Sequence, residues 1–466
     1  MERPVARQRV QKPEAAGLWE DAVKPLGTQD GQSLAVAPNE EKPGAAEGLL
    51  EQVLDPENLW LALARVKANK GAAGVDGMQV SELDQHLTEH WDGIREKLLA
   101  GTYRPAPVRR VEIPKPGGNG VRLLGVPTAL DRLLQQMLHQ VLSPIFDPGF
   151  SDSSYGFRPL RSAHQAVVKA KAHIDEGYAW MVEVDAEKYF DRVNHDVLMA
   201  RVARKVRDQR VLRLIRRVLR SGVMVNGIVQ ETPIGTPQGG PLSPLLGNIL
   251  LDDLDKELEQ RGHRFVRYAD DITVFAGSRK AGERVLQSLR RYLEERLRIK
   301  VNVQKSHVDR PWKLTLLGFS FLRSRNGIRI RIASKSLQRA EDMIRELTAR
   351  SWSIAMEERI RRLNRYLRGW VGYFKLADAA KTPLADLDGW LRHRLRQCRL
   401  KEWKKPKTRY RELVRLGVNR EKARKISGSR KGIWRLSLTP QLHVALGNAY
   451  WRSLGLTFAS DLYGKR

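Results

Sequence analysis

The sequence predicts an α+β protein, on three observations. Between about residues 111 and 332, short strand-like runs alternate with amphipathic helical stretches. After about 335 the chain reads as helix and becomes very basic. No run of 18 apolar residues occurs, so no membrane-spanning helix is expected. At roughly 100–200 residues per domain, 466 residues make two to four domains.

Residues 1–48 are rich in Pro, Gly, Ala, Gln and charge and follow neither the helical nor the strand period. They are expected to form a disordered leader. They contain no apolar stretch of the kind a secretory signal needs. Order is expected from Leu49, where LLEQVLDPENLWLALARVKANKG spaces its apolar residues as a helix does; NKGAAGVDG then reads as a glycine-rich turn. VEIPK and VRLLGVP read as short strands flanking the turn PGGNG. ALDRLLQQMLHQVLSPIF is an amphipathic helix ended by Pro148 and Gly149. MVEVD is a strand, and FVRYADDITVFA reads as two strands about a tight turn at Ala269–Asp270 or Asp270–Asp271. ERVLQSLRRYLEERL is a helix, and IKVNVQK is expected to follow as a strand.

In ERIRRLNRYLRGWVGYFK, the residues Leu363, Tyr366, Leu367, Trp370, Val371 and Phe374 fall on one helical stripe. Arg361, Arg362, Arg365 and Arg368 lie largely off it. Such a helix can pack on one side and meet phosphates on the other. The basic excess continues from Leu391 to Arg435, where Trp403, Tyr410 and Trp434 are expected to be core anchors rather than base-stacking platforms.

Charge points to the partner. Lys plus Arg number 83 against 53 Asp plus Glu, a net charge of +30. The plainest counterpart to so positive a surface is a polyphosphate chain, DNA or RNA. The single cysteine, Cys398, excludes an intrachain disulfide and a multi-cysteine zinc site, and fits a cytosolic or nuclear compartment. The phosphate loop of an ATP-driven helicase is absent from the sequence.

Chemistry is expected at three carboxylates. Asp185 ends a strand, and Asp270 and Asp271 sit at the tip of a hairpin. Carboxylates at such ends can converge from two strands of one sheet and hold a pair of Mg²⁺ ions that clamp the two oxygens of a phosphoryl transfer. Alone, Asp-Asp in a hairpin is more often a turn, because Asp hydrogen-bonds its own backbone.

The surroundings change that balance. VEVDAEKYFDRVNHD at 182–196 and YADD at 268–271 resemble the catalytic core of reverse transcriptases. IGTPQGGPLSPLLGNILLDDLD is similar to that family's nucleotide-pocket motif, and KVNVQKS and LLGFSF to its lysine motif and primer grip. NKGAAGVDGM, IPKPGGNGVRLLGVPTALDRLLQQ, SYGFRPLRSAHQA and RLNRYLRGWVGYFK resemble, within that family, the group II intron reverse transcriptases, or maturases. No paired cysteine motif precedes Arg466, so the resemblance is to members lacking an endonuclease.

The resemblance implies a right-hand polymerase: fingers and palm over 49–332, a helical thumb or maturase X domain over 333–395, and a basic nucleic-acid-binding region over 396–466. It implies that Asp185 and Asp270 are the principal ligands of two Mg²⁺ ions, with Asp271 a weaker ligand or support. Phe190 would be the steric gate against a ribose 2′-hydroxyl. Lys115, Arg122 and Lys305 would face the triphosphate, Gln238 and Gly239 the incoming nucleotide and template, and Gly318 the primer. The implied partners are intron RNA, target DNA and deoxynucleoside triphosphates, in the cytoplasm of a bacterial cell. Oligomeric state is not set by the sequence. Two other roles fit the same motifs: a maturase acting mainly as an RNA-binding protein, and a domesticated, defence-associated reverse transcriptase.

Overall fold

A computed structural model describes residues 48–114, 120–187, 189–225, 228–230, 235 and 239–464, with the side chains of Arg122 and Ile228 excepted. Apart from Gly48, the expected leader lies outside the described residues, as do Lys115 and Gln238.

Two four-stranded sheets and a hairpin carry the strands. One sheet has the order β2-β1-β4-β5, from β1 (Val108–Pro114), β2 (Val121–Val126), β4 (Val223–Val225) and β5 (Ile228–Gln230). The other has the order β6-β7-β3-β8, from β3 (Trp180–Val184), β6 (Arg264–Tyr268), β7 (Asp271–Ala276) and β8 (His307–Asp309). β9 (Phe319–Ser324) and β10 (Gly327–Ile332) form the hairpin. β1 and β2 pair antiparallel from Arg109↔Val126 to Pro114↔Val121, as the strands flanking PGGNG were expected to do.

The second sheet is the palm, and it is packed on both faces. Successive side chains of a strand point to opposite sides. Val182 and Val184 of β3, with Ile272 and Val274 of β7, join one core with the long helices Ala129–Phe146 and Ser243–Gln260. Met181, Val266 and Phe275 face a second core, built with the helices after β10. Those helices include Ser334–Leu347, Met356–Phe374 and Lys381–Glu402. The last runs unbroken through residues 395 and 396, and the short helices after it join the same core. The palm and the basic C-terminal segment thus belong to one buried apolar cluster.

The first expected helix is two. Asp55 accepts hydrogen bonds from the amides of Glu57 (2.8 Å) and Asn58 (3.4 Å), and Pro56 occupies the first helical position. Both are N-terminal signals, so Leu49–Val53 stops and Pro56–Ala68 begins anew. On Met356–Phe374 the stripe is as expected: Leu363, Leu367, Val371 and Phe374 are buried, and Arg361, Arg365 and Arg368 are exposed. Arg359 departs from the pattern. It is buried and donates to the carbonyls of Leu347 (2.6 Å) and Trp352 (3.0 Å), tying down the segment before its own helix. Trp403 is buried and Tyr410 half-buried, whereas Trp434 is 45% exposed, with its ring 3.8 Å from that of His393.

The expected strand IKVNVQK is not one. Val301 makes a single bridge to Ala186, and Asn302–Lys305 close a turn. That bridge is made by the amides of Asn302 and Glu187, which donate to the carbonyls of Asp185 (2.8 Å) and Lys300 (2.8 Å), and pairing with β3 resumes only at β8. Among the described residues, no helix is long and apolar enough to cross a membrane.

Candidate active site

The register of the palm brings the acidic residues together. β3 and β7 pair antiparallel from Trp180↔Ala276 to Val184↔Ile272. One step further sets Asp185 opposite Asp271. β6 and β7 close with Tyr268↔Asp271, so the turn is at Ala269–Asp270, the first of the two expected positions. Ala269 takes φ 57°, a left-handed conformation that a residue bearing a Cβ adopts at a cost of about 1–2 kcal/mol.

Asp185 is fixed by its backbone. Its amide donates to Ser306 Oγ (3.0 Å), and its carbonyl accepts from Asn302. The Lys305 ammonium lies 3.3 Å from Asp185 Oδ2 and is itself largely exposed. The turn that displaced the expected strand therefore delivers both a hydroxyl and a cation to Asp185.

A fourth carboxylate, Glu183, went unnoticed in the sequence. It precedes Asp185 by two positions, so it shares that residue's face of β3. Burial pushes its carboxyl up; His307 on β8, 3.6 Å away, opposes the shift and Asp185 adds to it. The only sequence signal was the spacing Glu-x-Asp, which also describes any polar strand face.

Asp271 is strongly perturbed. Loss of solvent, then the carboxylates of Asp270, Glu183 and Asp185, push it up to about 7, with Lys305 opposing them. Part of its side chain stays exposed, and the neighbouring carboxylates add to the effect of dehydration. Excess negative charge on hard oxygen atoms suits a divalent cation such as magnesium. As they stand, the described residues hold no three His, Cys, Asp or Glu side chains already converged as a metal-binding group.

The other expected residues line different walls. Phe190 lies in a short turn of helix, Tyr189–Arg192, half-buried and edge-on to Tyr189 at 5.1 Å. Tyr189 is buried and donates to the carbonyl of Gly247 (2.8 Å), anchoring that turn to Ser243–Gln260. Gly239 has φ 122°, and a Cβ there would come 2.9 Å from the carbonyl oxygen of Gly125 on β2. Its lack of a side chain thus serves close approach to the first sheet. Arg122 pairs with Ile113 in that sheet.

Gly318 belongs to another junction. It has φ 83°, and a Cβ would meet Ser336 Oγ at 3.1 Å and Phe374 Cζ at 3.2 Å. Its carbonyl accepts from the Ala333 amide (3.1 Å) and the Ser336 hydroxyl (2.8 Å), and Tyr373 donates to the Leu317 carbonyl (2.8 Å). These bonds couple the start of β9 to the helices Ser334–Leu347 and Met356–Phe374.

Comparison with known proteins agrees with this geometry. Residues 113–321 match the family model described as reverse transcriptase (RNA-dependent DNA polymerase), and residues 337–417 match the group II intron, maturase-specific domain. Protein YkfC of Escherichia coli K12 is 32% identical over 361 residues, covering 67% of this chain and 93% of its own length. The group II intron-encoded protein LtrA of Lactococcus lactis subsp. cremoris is 38% identical over 219 residues, covering 47% of this chain and 36% of its own length. The putative COX1/OXI3 intron 2 protein of Saccharomyces cerevisiae is 28% identical over 339 residues, covering 59% of this chain and 38% of its own length. The last two relatives are therefore matched over little more than a third of their lengths. A palm with aspartates on adjoining strands, the reverse transcriptase match running through it and the maturase-specific match beyond it lead to one conclusion: the chain belongs to the reverse transcriptases of the group II intron maturase type.

Proposed function

We propose that the protein extends a DNA primer on an RNA template, and that it binds the intron RNA whose splicing and mobility it assists. One observation carries the reading: Asp185 and Asp271 end adjoining antiparallel strands, with Asp270 in the turn beside them. Asp185, Asp270 and Asp271 would hold magnesium, as two ions. When bound, the ions supply Lewis acidity at the primer hydroxyl and charge neutralisation at the triphosphate.

The chain itself supplies position and charge. Lys305 is on hand beside Asp185 as a cation for the triphosphate of the incoming deoxynucleotide. Lys115 and Arg122 are assigned to the same triphosphate, a point charge and a planar fork. Phe190 is assigned to the sugar, Gln238 and Gly239 to the nucleotide and template, and Gly318 to the primer. In the division of labour, residues 49–332 polymerise, 333–395 grip the product duplex, and 396–466 bind nucleic acid, including the target DNA. Exposed Arg361, Arg365 and Arg368 suit phosphate contact. The cytoplasm is the assigned compartment.

Asp270→Ala separates the two roles. DNA synthesis is expected to disappear while intron RNA binding and assisted splicing persist. If splicing is lost together with synthesis in a folded variant, the two-role reading fails.

A further inference from the structure

Arg267 and Asp255 form an ion pair with both side chains 0% exposed. Arg267 sits on β6, two residues before Ala269. Its Nε donates to Asp255 Oδ1 (2.8 Å), and its Nη2 to Asp255 Oδ2 (2.6 Å), a planar fork on a carboxylate. Its Nη1 donates to Asn248 Oδ1 (2.8 Å) and to the carbonyl of Ala269 (2.9 Å). Asn248 and Asp255 are seven residues apart on Ser243–Gln260, hence on one face.

The network continues to the other side of the turn. Asn248 Nδ2 donates to the carbonyl of Gly156 (2.9 Å). A Cβ on Gly156 would fall 2.2 Å from the amide nitrogen of Ala269, so that backbone lies directly against the turn. The Arg267 amide donates to the Ser153 carbonyl (2.8 Å), and the Arg267 carbonyl accepts from the Tyr155 amide (2.9 Å). The turn is thus held by a guanidinium beneath it and by the Ser153–Gly156 backbone beside it.

We propose that Arg267, oriented by Asp255 and Asn248, is a positioning residue. It holds Ala269 in its left-handed conformation and thereby fixes where Asp270 and Asp271 stand relative to Asp185. A buried ion pair alone is weak evidence of a stabilising role, since well-packed apolar replacements are often as stable. The bond to the Ala269 carbonyl is what such replacements cannot reproduce. A hydrophobic exchange therefore separates holding the fold from holding the turn.

The test compares Arg267→Lys and the double variant Arg267→Met/Asp255→Leu with the parent, in the full chain. Readouts are primer extension, thermal unfolding, amide hydrogen exchange over 268–272, and direct Mn²⁺ binding without nucleotide. Small misplacements of reacting groups can cost up to about a hundredfold in rate. The expected result is a folded double variant with kcat at least tenfold lower, KM for primer-template within twofold, faster exchange in the turn and several-fold weaker Mn²⁺ binding. The lysine variant should show the same split. A folded variant with kcat, exchange and Mn²⁺ binding within twofold of the parent overturns the proposal. So does failure of both variants to fold, which assigns the network to the core alone.

Discussion

Replacing Asp271 with asparagine should stabilise the metal-free protein at alkaline pH while it abolishes or cripples DNA synthesis. The Asp271 carboxyl is pushed up from 3.8 to about 7. A tenfold change in proton affinity is 1.36 kcal/mol, so an unscreened shift of this size corresponds to about 4 kcal/mol. The side chain is exposed, and solvent screening reduces this to roughly 1–2 kcal/mol. Between pH 3.8 and 7 the folded state binds more protons here than the unfolded chain does. Stability therefore declines as pH rises through that window, and the full penalty stands above 7. Asparagine carries none of it. Urea unfolding with a chelator present should show Asp271→Asn more stable than the parent by roughly 1–2 kcal/mol at pH 8, and nearly equal to it at pH 4. Adding Mn²⁺ should then stabilise the parent more than the variant, because a ligand of the folded state shifts the equilibrium by mass action. A variant no more stable than the parent at pH 8, or equally favoured at pH 4, would refute the claim that burial and like charges disfavour an ionised Asp271.

Two further outcomes follow from packing. Phe190→Ala should raise ribonucleotide relative to deoxynucleotide incorporation in single-nucleotide extension, and an unchanged ratio would assign Phe190 to the core it shares with Tyr189. Leu367→Ala removes a fully buried side chain on Met356–Phe374 and should cost about 2–5 kcal/mol of stability in denaturant unfolding; a loss below about 0.5 kcal/mol would contradict the packing described for that helix.

Local pattern carried the elements whose physics is local. The stripe Leu363–Leu367–Val371–Phe374 repeats at the helical period, so its buried face could be read directly. The YADD hairpin announced its two strands, but only the pairing Tyr268↔Asp271 decides where it turns. IKVNVQK alternates as a strand should, yet its pairing stops at the Val301–Ala186 bridge, because the amides of Lys305 and Ser306 turn back onto the Asn302 carbonyl. The Ser306 hydroxyl that this turn brings to the Asp185 amide comes from more than a hundred positions away, which no local pattern shows. Glu183 was hidden for a different reason: a polar residue alternating with Val182 and Val184 looks like any solvent-facing strand position. Only Asp185 and His307 beside it make it part of the site. Nothing in the sequence singles out Arg359 on its basic helix, and its burial depends on the carbonyls of Leu347 and Trp352.

The account stands on carboxylates gathered by the ends of β3 and β7. Its most direct test is primer extension on an RNA template with Mg²⁺, comparing the parent with a folded Asp270→Ala variant that still binds RNA. The parent is expected to synthesise complementary DNA and the variant to make none above background. Extension by the variant at a rate comparable with the parent's would contradict the assignment of this cluster as the active site.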